Sequence, residues 1–174
     1  MARIITLLVG SALTISALAA YPTPVQAASS SAADKAAIEA LEARFAAAFE
    51  AKDVDAIMRV YLPGPDLFVF DVTPPRQHVG SSDYKADWED TFRATRGPVH
   101  FSISDLSVTV VGRVAYGHSI QRVSFTRADG SKADFVVRVS DVYRKTHGRW
   151  LIVQEHVSVP VDLNTGKADL LSKP

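Results

Sequence analysis

Residues 135–161, FVVRVSDVYRKTHGRWLIVQEHVSVPV, decide how the chain is read. Two runs rich in Val, Ile, Tyr and Trp flank His147-Gly148. Gly accepts a positive φ freely and His tolerates one, so the pair predicts a two-residue hairpin turn. With that turn Thr146 pairs with Arg149, and regular alternation puts Tyr143 opposite Ile152, Asp141 opposite Gln154 and Val139 opposite His156. One face then carries Val137, Val139, Tyr143, Trp150 and Ile152, interrupted by Asp141, Gln154 and His156. Such a face is either a core whose polar groups are satisfied or the floor of a pocket.

Immediately upstream the pattern is also β. Runs at 99–111, 114–126, 135–145 and 150–161 predict an antiparallel meander turning at Gly112-Arg113, Asp129-Gly130 and His147-Gly148. A two-residue turn at Asp129-Gly130 sets His118 opposite Asp141 and Arg122 opposite Val137. His118, Asp141, Gln154 and His156 would then share one face of three adjacent strands, provided no bulge intervenes. His118, His156 and Asp141 also have the donor types of a two-His, one-carboxylate metal site. The opposite face carries Ala115, Gly117 and Ser119 beside Leu106, Val108 and Val110. That small, apolar surface is expected to be covered by a second copy, as a homodimer.

Before the meander come helices. Asp34 is expected to cap a helix over 34–52, with Ile38, Leu41, Phe45 and Phe49 on one stripe and Lys35, Glu39, Glu42 and Lys52 outside. Asp53 caps a shorter one over 54–61, with Ile57, Val60 and Tyr61 inward, stopped by Pro63-Gly64-Pro65. Residues 66–72, DLFVFDV, predict a strand in which Leu67, Val69 and Asp71 share a face. Residues 73–80 contain Pro74-Pro75 and read as a loop, His78 having no evident partner. A third helix, opened by Ser81 or Ser82, aligns Tyr84, Trp88 and Phe92. Trp88 reads as a core anchor or as a ligand contact. Helices followed by a meander make an α+β chain with the helices on one side of the sheet.

Arg3 followed by an apolar run and by Val25-Gln26-Ala27 reads as an export signal over 1–27, with a short Ala/Ser tether at 28–33. The expected location is therefore periplasmic or secreted, with no membrane attachment after cleavage. The remaining 147 or so residues suit one domain at 34–161 and a tail at 162–174. Nineteen basic side chains balance nineteen acidic ones, which gives no electrostatic case for a nucleic-acid partner. Cysteine is absent, so disulfides and thiolate metal sites are excluded.

The element order, with ALEARFAAAFEAKDVDAIMRVY, FVFDV, HVGSSDYKADWEDTF, DLSVTVVGRVAYGHS and above all VSDVYRKTHGRWLIVQEHVSV, resembles the SnoaL-like branch of the nuclear transport factor 2-like superfamily, relatives of ketosteroid isomerase. The resemblance implies a cone, a strongly curved, mainly antiparallel sheet wrapped on the N-terminal helices. It also implies a pocket for a small organic ligand, no cofactor and no metal. In the isomerase pattern Asp71 aligns with a general base and Asp141 with a protonated acid that donates to a developing oxyanion. Phe45 stands where that pattern has a Tyr. His156, Gln154 and, at the mouth, Tyr61 are the polar groups this chain offers instead. The expected catalytic set is Asp71, Asp141 and His156, with Tyr61, Trp88, His118, Gln154 and Phe45 as ligand contacts. Three classes stay open: a cofactor-free isomerase, cyclase or dehydratase, a non-catalytic binding module, and a structural domain whose cone is filled by Phe45, Phe49, Trp88 and Trp150.

Overall fold

A computed structural model describes residues 24–172. Most of the expected export signal, residues 1–23, lies outside the described residues. The chain begins with α1 (Pro24–Ala51), which includes the expected tether, and α2 (Val54–Met58). Two short strands follow, β1 (Phe68–Phe70) and β2 (His78–Val79), then α3 (Ser81–Arg93). The long strands β3 (Thr95–Val111), β4 (Val114–Arg127), β5 (Lys132–Thr146) and β6 (Arg149–Ser158) complete it. The six strands form one curved, unclosed sheet in the order β2-β1-β6-β5-β4-β3, antiparallel except where β1 runs parallel to β6.

The helices cover the inner face because their apolar stripes require it. Ile38, Leu41, Phe45 and Phe49 of α1 are buried, as are Ile57, Val60 and Tyr61 around α2 and Tyr84 and Trp88 of α3. Each large apolar side chain so removed from water contributes about 1.5–3 kcal/mol. Asp34 lies inside α1 and caps nothing. Its Oδ1 accepts hydrogen bonds from Lys145 Nζ at 2.5 Å and Trp150 Nε1 at 3.0 Å, tying the helix to the end of the β5–β6 hairpin. Beyond β6, residues 159–172 turn back beside β5, and Val136 N donates to Leu170 O at 2.7 Å.

Two details of the sheet differ from regular alternation and move every outlying side chain. The β5–β6 turn is the expected one: His147 has φ 49° and Gly148 φ 78°, and Thr146 pairs with Arg149 and Tyr143 with Ile152. Beyond that pair a bulge intervenes, because Val142 pairs with Gln154 and leaves Val153 as an extra residue. A single extra residue reverses which face each later side chain occupies. Asp141 therefore pairs with Glu155, and Val139 with Val157. Glu155 enters the core, and Gln154 and His156 are exposed.

The β4–β5 turn holds three residues, Ala128-Asp129-Gly130, with Arg127 N donating to Ser131 O at 2.8 Å and Asp129 Oδ1 accepting from Ser131 N at 2.9 Å. Adding one residue to the two expected shifts the pairing by one, so His118 lies opposite Ser140 and Gly117 opposite Asp141. His118 and Arg122 consequently face out, and Ala115, Gly117 and Ser119 face in. Leu106, Val108 and Val110 likewise pack on the core. The surface expected to meet a second copy is therefore the inner face of the sheet.

Gly117 faces the core where β3 is irregular between Ser104 and Ser107. A Cβ there would lie 3.0 Å from Ser107 O and 3.3 Å from the ring of Tyr143, whose hydroxyl is fixed by a hydrogen bond to Glu42. Gly117→Ala is expected to lower unfolding stability by about 1–3 kcal/mol through overpacking, read from the urea midpoint at unchanged denaturant slope.

Candidate functional site

Between the helices and the curved sheet the cone holds a cavity of about 550 Å³. Aromatic rings form much of its wall: Phe45 and Phe49 of α1, Trp88 of α3, Phe101 of β3 and Phe135 of β5. Phe45 meets Trp88 and Phe101 edge to face, at centroid separations of 6.0 and 5.6 Å, and Phe49 stacks on Phe101 at 4.5 Å. Such pairs keep rings in place beyond what burial alone gives. The exposed residues Arg127 at the end of β4 and Ala128 and Asp129 of the β4–β5 turn also line it and mark its rim. The cone is therefore not filled.

Acidic groups meet this apolar wall. Asp71 follows β1 directly, lines the cavity and is partly buried, its Oδ1 accepting from Val72 N at 2.5 Å. Burial raises its pKa above the ordinary carboxyl value, against the backbone hydrogen bonds of Val72 and Thr73. Glu155 lines the same cavity from β6. Its Oε2 accepts from Tyr61 OH and its Oε1 from Tyr84 OH, each at 2.9 Å. Desolvation pushes Glu155 up to about 7 in spite of both phenols.

A second layer lies behind. Tyr143 OH is 2.8 Å from Glu42 Oε1 and 3.3 Å from Asp141 Oδ2. A phenol has one hydrogen to donate, so both contacts are hydrogen bonds only when one of the two carboxyls is itself protonated and donates to the phenol oxygen. Burial, reinforced by the neighbouring Glu155 and Glu42, raises Asp141 well above the carboxylate range, and desolvation pushes Glu42 up to about 7. The arrangement thus suits Asp141 as acid, Tyr143 as relay and Glu42 as acceptor. Asp141 Oδ1 has no hydrogen-bond partner.

The expected site is therefore assembled only in part. Asp71, Phe45 and Trp88 line the cavity together. Tyr61 is fully buried beneath Glu155 and is not at the mouth. Asp141 points inward but stands behind the cavity and does not line it. His118, Gln154 and His156 face away from all of these, because of the three-residue turn and the Val153 bulge. Glu155, Tyr84 and Glu42 were not expected as site groups. Glu42 had a legible signal, since it follows Ile38 by four residues and precedes Phe45 by three, which is the spacing of the buried stripe.

The SnoaL-like domain matches residues 38–162. No curated protein sequence matches the chain. Among solved structures it is similar to a nuclear transport factor 2-like protein of unknown function from Pseudomonas putida, at 30% identity and a TM-score of 0.74, covering 83% of this chain and 99% of that one. It shares the fold of a candidate dehydratase of the same superfamily from Streptomyces avermitilis, at 16% identity, TM-score 0.65 and coverage of 74% and 97%. It also shares that of a ketosteroid isomerase-like protein from Erwinia carotovora atroseptica, at 21% identity, TM-score 0.61 and coverage of 71% and 93%.

The buried acids give stability a definite pH dependence. Glu42 and Glu155 rise from 4.5 to about 7 on folding, so between those values the native state holds protons that the unfolded chain has released. These two groups therefore make stability fall as pH rises from about 4.5 to about 7, with a loss of roughly 3 kcal/mol from each, and the raised Asp141 acts in the same direction. Asp34, lowered by Lys145 and Trp150, acts only at more acid pH. Urea denaturation from pH 5 to pH 8 is expected to show this decline. Glu42→Gln, which still accepts from Tyr143, is expected to reduce it by roughly 2–3 kcal/mol.

Proposed function

The chain belongs to the SnoaL-like domain family, and we propose that it binds a small, largely apolar organic molecule in the cone and exchanges a proton with it at Asp71. The observation that carries this reading is a cavity of about 550 Å³, walled by aromatic rings, into which a partly buried carboxyl opens beside a second acid. Such a site suits a carbon acid next to a carbonyl. Asp71 takes the proton from carbon, the electron pair moves into the carbonyl, and the negative charge forming on oxygen is met from the Glu155 side. Glu155 at about 7 can hold the proton this donation needs near neutrality. The names of the structural neighbours, a candidate dehydratase and an isomerase-like protein, agree with this class of chemistry by analogy of fold. Export is part of the proposal, supported by the sequence pattern of residues 1–27.

A second reading, a binding module without chemistry, is favoured by the hydrogen bond that Asp71 accepts from Val72 N, which occupies the carboxylate within its own loop. Incubation with a series of aryl alkyl ketones in D2O separates the two. Native mass spectrometry is expected to find a bound ketone in the wild type and none in Val123→Trp, which fills the cavity. Deuterium is expected to enter the carbon beside the carbonyl at least 100-fold more slowly in Asp71→Asn at unchanged binding. Equal exchange in that variant would leave the binding module, and equal binding in Val123→Trp would move the site elsewhere.

A further inference from the structure

Arg127 is the one basic side chain in the cavity lining, and its guanidinium is held in place without being neutralised. Nη1 donates to Lys132 O at 3.0 Å and to Ser131 Oγ at 3.3 Å, which fastens the group across the β4–β5 turn. It lies 6.0 Å from the centre of the Phe125 ring. Among the described residues no carboxylate forms an ion pair with it, and its bonds are made through Nη1 alone. Asp129, two residues on, spends Oδ1 on Ser131 N at 2.9 Å. An arginine keeps its proton in a protein, so a fixed positive charge and the Nε–Nη2 edge stay open to a partner.

Gln121, Val123, Phe125 and Arg127 are alternate residues of β4, and all four line the cavity. At the rise of a strand this row is about 20 Å long, from a buried amide through two apolar side chains to a cation at the rim. The other carboxyls inside the rim, Asp71, Asp87 and Glu155, repel an anion placed beside them wherever they are ionised. We infer that the ligand of the cone is an organic acid, a carboxylate on an apolar aryl or alkyl body, and that Arg127 receives its carboxylate at the rim while the body lies along β4. The inference rests on the reading of the cone as a ligand site. It also fixes an orientation: the charged end stays at Arg127, and the uncharged end is turned toward the interior acids. An arginine that only braced the turn would do so through Nη1 and would not distinguish an acid from its amide.

The test is calorimetric titration of the whole chain with benzoylpropionate and with its neutral amide, two aryl alkyl ketones that differ only at the charged end. The wild type is expected to bind the acid about tenfold more tightly, a preference that shrinks in added salt because the rim is exposed. Arg127→Gln is expected to bind the two alike. Equal affinities in the wild type, a preference that salt leaves unchanged, or the full preference retained in folded Arg127→Gln would each overturn the inference. Should that variant fail to fold, the wild-type ratio and its decline with salt decide alone. Acid and amide bound equally by the wild type and lost in Val123→Trp would defeat the rim carboxylate and leave the cone reading standing. A wild type that binds neither of them nor any neutral ketone would defeat both.

Discussion

The Glu155 carboxyl, held between the hydroxyls of Tyr61 and Tyr84, is the contact on which the rest of the cone depends. It joins the segment after α2, the first turns of α3 and the middle of β6. No buried cation among the described residues touches it, so its charge is opposed only by two phenols. Hydrogen bonds to a charged group return about 1.5–3 kcal/mol each, whereas desolvating a carboxylate costs several. Proton uptake near neutrality resolves the imbalance here and at Glu42, and burial raises Asp141 in the same direction one layer back.

The cavity lining is of mixed character. Rings from α1, α3 and β3 give an apolar wall, and Asp71 after β1, Asp87 of α3 and Glu155 of β6 add carboxyls to the same lining. Phe45 contributes only to the wall. The hydroxyl that the isomerase pattern draws from that helical position is replaced by Tyr61, Tyr84 and Tyr143, which come from three other places in the chain and serve carboxyls rather than an open oxyanion position. Trp88, readable as either a core anchor or a ligand contact, packs against Phe45 and Phe49 and also lines the cavity.

Much of this was legible in the residue pattern. The apolar stripes of α1 and α3 place the core, and His147-Gly148 sets the hairpin turn and its nearest pairs, because turn chemistry is local. The inward direction of Asp71 follows from the alternation of DLFVFDV. The faces of the longer strands were not legible, since Val153 is an ordinary Val in an alternating run and nothing in its own chemistry announces a bulge. Its position answers to tertiary pairing: Tyr61 bridges Ile152 on one side of it and β1 pairs from Gln154 on the other. That residue exchanges Glu155 for Gln154 and His156. The single residue added at Ala128-Asp129-Gly130 likewise turns His118 outward.

The claim that the Val153 bulge sets a proton-holding Glu155 into the core is tested most directly at that carboxyl. A ¹³C carboxyl titration of Glu155 in the wild-type chain is predicted to give a midpoint of about 7, displaced in Tyr84→Phe. A midpoint near 4.5, unmoved by Tyr84→Phe, would place Glu155 in solvent and contradict both the bulge and the site built on it.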